Sequence, residues 1–257
     1  MILNRTEYAG FSRFLLVGFC ICLLFGCQSD ELDKGNATEE ENTNNIPNKI
    51  MPLGASRVQG FTPWFESYRF ELWKALIDGG WDFDYVGTET ETGSYPNYEN
   101  LSFDPDHQGK MSWTSEKIFE ELESILHETG YPDIVLFSSP GGNDILDGHP
   151  YENVIENING IIDLFQDCNP DIVILIEQLA PGKTSFMTPE LTAIFYQAVL
   201  DVKTIAQEQT DENSQVISVN MFEGFDDSYL ADDIHYNAEG AKFIAQRYYE
   251  VLETVLE

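Results

Sequence analysis

The sequence predicts a doubly wound α/β domain: a three-layer α/β/α sandwich on a five-stranded, parallel, flavodoxin-like sheet. Two observations carry this. Five short apolar runs alternate with segments of helical period, the order that builds a parallel sheet with helices on both faces. One run, Ile172 to Ile176, is apolar without interruption, as a strand covered on both sides requires. Hydrophobic residues make up 42% and aromatics 13% of 257 residues, enough for a real core.

Lys49 to Leu53 reads as the first strand, stopped by Gly54. Tyr68 to Ile77 has helical spacing and ends at Asp78-Gly79-Gly80. Phe83 to Val86 is the second strand. Residues 88 to 112 show no period and read as a long loop, which in a compact domain is usually functional. Glu116 to His127 puts Ile118, Phe119, Leu122, Ile125 and Leu126 on one face, with Ser115 near the N-cap. Ile134 to Phe137 is a buried strand. Val154, Ile155, Ile158, Ile161, Ile162 and Phe165 mark the next helix. After Ile172 to Ile176 come a helix from Leu191 to Ala206, a last strand from Val216 to Val219 and a closing helix from Ala238 to Leu256.

The N-terminal residues read as an address rather than as fold. Arg5 and Arg13 precede an apolar run, Phe14 to Phe25, too short to span a bilayer as a helix but suited to a signal-peptide core. It ends in Leu24-Phe25-Gly26-Cys27, which resembles a bacterial lipobox, with cleavage before Cys27 and lipidation of its thiol. The expected organisation is a signal peptide over 1–26, an acidic solvated linker over 27–47 and one domain over 48–257. The acidic Gln28-Ser29-Asp30-Glu31 resembles the surface-export tags of Bacteroidetes lipoproteins. The expected place is therefore the bacterial cell envelope, as an outer-membrane lipoprotein held only through Cys27. Cys20 and Cys22 leave with the signal, so Cys168 is alone in the mature domain and reads as a structural thiol.

With 13 basic and 45 acidic residues the formal charge is −32. That argues against nucleic acid, whose binding needs neutralised phosphates, and against adhesion to anionic lipid through basic patches.

In a parallel sheet ligands sit beyond the carboxyl ends of the strands. The first strand runs into Gly54-Ala55-Ser56, the third into Gly141-Gly142-Asn143-Asp144, and Asp232-Asp233-Ile234-His235 stands before the closing helix. Blocks in this order resemble the SGNH (GDSL) hydrolase family, over residues 49 to 255. Within it, secreted esterases that deacetylate xylan carry stretches similar to Ile50-Met51-Pro52-Leu53-Gly54-Ala55-Ser56, Tyr68-Arg69-Phe70-Glu71-Leu72-Trp73, Asp84-Tyr85-Val86-Gly87 and His107-Gln108-Gly109-Lys110-Met111-Ser112-Trp113-Thr114.

The resemblance implies an SGNH-type fold and acyl transfer without a cofactor. Ser56 is the expected nucleophile, His235 the base, and Asp232 the carboxylate that orients the imidazole, with Asp233 its competitor. The expected oxyanion donors are the Ser56 and Ser112 backbone N–H groups and the Asn143 amide. Two positions depart from the family pattern. Ala55 stands where the family has Asp, a residue that braces the nucleophile loop. Ser112 stands where the family has Gly, and Ser reaches a glycine's φ/ψ at a cost.

His107 and His149 read as structural or surface residues, and His127 as solvated. Asp104, Asp106 and His107 fit no metal-ligand spacing. Arg69 reads as an ion-paired brace of the first loop. Tyr95, Tyr98, Phe103 and Trp113 either stack on sugar rings or pack the long loop down. The expected substrate is a small ester or a neutral acetylated polysaccharide. A degenerate glycan-binding domain and a lipase or thioesterase of the same fold are the alternatives.

Overall fold

The computed structural model describes residues 47–90 and 93–256. The expected signal peptide, Cys27 and the expected linker up to residue 46 lie outside the described residues.

The chain runs β1 (Lys49–Gly54), α1 (Ser56–Gln59), α2 (Arg69–Gly79), β2 (Asp84–Tyr85), β3 (Glu89–Thr90), β4 (Asp106–Gly109), α3 (Ser115–Thr129), β5 (Ile134–Phe137), α4 (Gly142–Asp147), α5 (Tyr151–Cys168), β6 (Val173–Gln178), α6 (Pro189–Gln209), β7 (Gln215–Asn220) and α7 (Ala238–Leu252). The strands join in one sheet, ordered β3-β4-β1-β5-β6-β7, with β2 also on β1. The pairings among β1, β2, β4, β5, β6 and β7 are parallel, and β3 joins β4 antiparallel.

The sheet has seven strands, where the sequence reading expects five. The place beside β1 is shared: β2 pairs its start, at Lys49 and Ile50, and β4 pairs its end, at Leu53 and Gly54. Both β3 and β4 fall within the segment expected to be loop. Strand β4 reads Asp-His-Gln-Gly and carries no apolar signal, yet His107, Gln108 and Gly109 are buried. Hydrogen bonds replace apolar packing there. The Gly109 N–H donates to His107 Nδ1 at 3.0 Å, and Gln108 Oε1 accepts from the Thr88 N–H and hydroxyl.

Alternate side chains of each strand feed two cores. Met51, Leu53, Val135, Phe137, Ile174 and Ile176 pack under α3, α5 and α6. Ile50, Ile134, Leu136, Leu175 and Val219 face α2 and α7 on the other side. That is the three-layer sandwich. The closing helix stops at Leu252 rather than Leu256, where Thr254, Val255 and Leu256 continue in turn.

Two helices are anchored by groups that reach the site. Thr114 caps α3, its hydroxyl accepting from the Lys117 N–H. Buried Asp144 then accepts from the Ser115 N–H and hydroxyl, both at 2.8 Å, tying the β5–α4 turn to the start of α3. Asn237 caps α7 two residues after His235.

Candidate active site

Gly54 ends β1 at φ 155, and a Cβ there would meet the Ser138 carbonyl at 2.8 Å. Only glycine lets β1 and β5 converge this closely. The chain then turns directly into α1, with Ser56 as its first residue and 7% exposed. In this position the Ser56 N–H has no helical acceptor. Ala55 contributes its carbonyl, which accepts from the Val58 and Gln59 N–H groups.

Ser56, His235 and Asp232 come together. Asp232 Oδ1 accepts from the Ile234 and His235 backbone N–H groups at 2.9 and 2.8 Å, an Asx turn that fixes the carboxylate. Its Oδ2 lies 2.8 Å from His235 Nδ1. A carboxylate held by N–H donors can only accept, so Nδ1 carries the proton and Nε2 is the acceptor. Nε2 lies 3.0 Å from Ser56 Oγ. Partial burial pushes the Asp232 carboxyl up, but the bonds from Ile234 and His235 outweigh it and hold it below its ordinary value. The Phe65 ring stacks on the imidazole, with centroids 3.9 Å apart and planes 13° apart. Asp233 points its backbone elsewhere, its carbonyl accepting from the Lys183 N–H.

The Asn143 side chain donates to the Trp113 carbonyl at 2.7 Å, which leaves its second amide hydrogen available. Ser112 stands at φ 64, at the third position of a turn closed by the Trp113 N–H on the Lys110 carbonyl. Such a turn takes a positive φ at that position. The Gly109, Lys110, Met111 and Trp113 N–H groups are all engaged, by His107, Gly54, Gln59 and Lys110. Among the described residues the Ser112 N–H has no acceptor.

A buried network beneath Ser56 escaped the sequence reading. Arg57 Nε donates to the Ile234 carbonyl at 2.8 Å, and Nη1 to the Ala180 carbonyl at 2.9 Å and the Ser139 hydroxyl at 3.3 Å. Its guanidinium lies over the Tyr236 ring. Ser139, itself at φ 47, donates its N–H to buried Glu177 at 2.6 Å, and the Ser138 hydroxyl donates to the same carboxylate. Burial pushes the Glu177 carboxyl up, opposed by those hydrogen bonds and by the Arg57 charge. Arg57 thus joins the nucleophile turn to the segment carrying His235, a link the Ala55 methyl has no polar group to make. The available signals were an arginine directly after the serine and an acid inside an apolar strand.

Other expected residues fall into structural places. His107 is buried, and burial with the neighbouring Arg69 charge lowers its pKa to about 2, so it stays neutral. His127 is exposed, and His149 lies 3.7 Å from Asp144. Asp104 accepts from the Tyr85 and Asp106 N–H groups. Arg69 does brace the first loop, through the carbonyls of Val58, Gln59 and Pro105. Tyr95 and Phe103 pack with Phe70, and Phe103 also with Trp73. The Tyr98 hydroxyl donates to Asp78, and Lys110 lies over Trp113. Cys168 is half-buried against the core rather than enclosed by it.

Ser56 and Asn143 line a cavity of about 30 Å³ together with Leu146, Leu179, Phe195 and Ile234. At roughly 10–15 Å³ per water this admits about two water-sized groups.

No family model and no curated protein matches the sequence. Solved structures do match. A carbohydrate esterase family 3 protein from Talaromyces cellulolyticus is 24% identical, with a TM-score of 0.69 over 81% of this chain and 97% of that one. A family 3 carbohydrate esterase from Clostridium thermocellum is 26% identical, with a TM-score of 0.66 over 82% and 99%. A GDSL-like lipase from Bacteroides thetaiotaomicron is 12% identical, with a TM-score of 0.58 over 81% and 89%. The chain therefore has the SGNH-hydrolase fold, shared along nearly the whole length of family 3 carbohydrate esterases and GDSL-like hydrolases.

Proposed function

We propose that this chain is a serine carboxylic ester hydrolase that removes short acyl groups, chiefly acetyl, from carbohydrate. The observation that carries the reading is the unbroken Asp232–His235–Ser56 hydrogen-bond line, at 2.8 and 3.0 Å. The family 3 esterases of the same fold support ester hydrolysis and a sugar substrate.

In this mechanism Ser56 Oγ attacks the ester carbonyl as His235 Nε2 takes its proton. Asp232 holds the Nδ1 proton and stabilises the imidazolium. The Ser56 and Ser112 N–H groups and the Asn143 amide receive the tetrahedral oxyanion. The intermediate collapses, and Nε2 gives its proton to the departing sugar hydroxyl. Water, deprotonated by the same nitrogen, then cleaves the acyl-serine ester and releases the acid. The small cavity suits an acetyl group better than a long acyl chain. The lipobox supports a lipid tether at Cys27 in the bacterial envelope.

Hydrolysis of p-nitrophenyl acetate, butyrate and octanoate tests the reading. The expected order is acetate first. Ser56→Ala should abolish turnover, and Asn143→Ala should lower kcat by about 10²–10³-fold, as loss of one oxyanion donor does. A folded wild type that is as inert as Ser56→Ala would leave glycan binding as the function, with Ala55 as its sequence signature.

A further inference from the structure

Tyr95, Tyr98, Phe103 and Trp113, read as either sugar-stacking or loop-packing, are engaged within the fold, but two other aromatics stand open beside the triad. Trp64 is 66% and Phe61 50% exposed. Their rings stack on each other, with centroids 4.5 Å apart and planes 15° apart. Phe61 then approaches Phe65 at 6.1 Å, and Phe65 lies flat on the His235 imidazole. A row of rings thus leads from the general base to solvent. We infer that Trp64 and Phe61 form a stacking platform for the glycan chain that carries the scissile acetyl group; this rests on the esterase reading above.

The loop is built to hold these rings still. The Trp64 and Phe65 N–H groups both donate to the Phe61 carbonyl, and the Phe61 N–H donates to that of Phe65. The Ser67 hydroxyl donates to the Val58 carbonyl at 2.6 Å, and the Glu66 N–H to the carbonyl of Tyr236, the residue after His235. Rings presented on a latched loop lose little freedom when a ligand arrives. Their exposure leaves apolar surface in water, which a ligand of matching flatness removes. The negative face of an aromatic ring attracts the polarised C–H groups of a pyranose. Glu66 on the loop and exposed Asp232 and Asp233 beside it disfavour an anionic sugar. The occupant is therefore a neutral acetylated oligosaccharide.

The test uses the full chain carrying Ser56→Ala, which cannot turn the ligand over, titrated calorimetrically with partially acetylated xylohexaose. Adding Trp64→Ala or Phe61→Ala should weaken binding about tenfold, while Tyr131→Ala, an exposed aromatic at the far end of the sheet, should leave it unchanged. With Ser56 restored, the ratio of kcat/KM on the acetylated oligosaccharide to that on p-nitrophenyl acetate should fall by the same factor. Both platform positions are exposed, so their substitution spares the fold. Undiminished binding in both variants, or no binding by the parent, overturns the platform. The two proposals fail separately. Trp64-dependent binding by an inert wild type keeps the platform and removes the esterase, whereas an unaltered ratio in an active enzyme does the reverse.

Discussion

Ser112 holds a positive φ that a glycine would adopt freely, and it does so one residue before Trp113, whose carbonyl holds the Asn143 amide. A non-glycine residue in this region costs on the order of 1 kcal/mol or more. The group the site needs is the backbone N–H, which every residue but proline supplies. Ser112→Gly should therefore keep kcat/KM on p-nitrophenyl acetate within about twofold, and the relieved strain should roughly offset glycine's larger unfolded entropy of about 0.4–1 kcal/mol in urea unfolding. A hundredfold loss would show that the hydroxyl, not the amide, matters. Ser56, Asp232, His235 and Asn143 were legible as candidates because each stands just after a strand or just before a helix, where chemistry collects. Arg57 and Glu177 were not. Their partners are carbonyls, hydroxyls and a backbone N–H from the turns after β5 and β6 and from the His235 segment, and no residue type or spacing encodes such a convergence.

Among elements, the longer helices were readable because their apolar residues repeat at i+3 and i+4, and β1, β5 and β6 because burial on both faces leaves each with a run of at least four apolar residues. Strand β4 was hidden because polar side chains fill its place, with His107 Nδ1 and Gln108 Oε1 held by hydrogen bonds the one-dimensional pattern does not record. The short helices α1 and α4 were hidden too, since a single turn shows no period. The Asp144 carboxylate is the joint between α4 and α3. Asp144→Ala removes two buried hydrogen bonds to a charged acceptor and should lower the unfolding free energy by about 2–4 kcal/mol. Because α4 carries Asn143, kcat should drop in the same variant while KM changes little. A variant as stable as wild type would mean that Thr114 alone secures the start of α3.

At the scale of the whole molecule, 45 acidic against 13 basic residues give the chain a large net negative charge. Polyanionic substrates are repelled over a Debye length of about 30 Å at 0.01 M salt but only about 8 Å at 0.15 M. Acetylated polygalacturonate should thus be deacetylated more slowly than acetylated xylan at low salt, with the gap narrowing as salt rises. A salt-independent ratio would place the discrimination in the site itself. The charge argued against a nucleic-acid ligand from composition alone but carried nothing about which ester the proposed reaction takes; that choice is proposed to rest on the cavity and on the Phe61–Trp64 loop, both products of folding.

The central claim is that His235 makes Ser56 a nucleophile, and the most direct measurement is covalent capture. Treated with diethyl p-nitrophenyl phosphate, the folded protein should release one equivalent of p-nitrophenol and gain one diethylphosphoryl group, mapped by peptide mass spectrometry to Ser56. His235→Ala should slow that reaction by at least about 10²-fold, the scale of general-base assistance. No adduct on the folded wild type, or an adduct that persists in Ser56→Ala, would contradict the account.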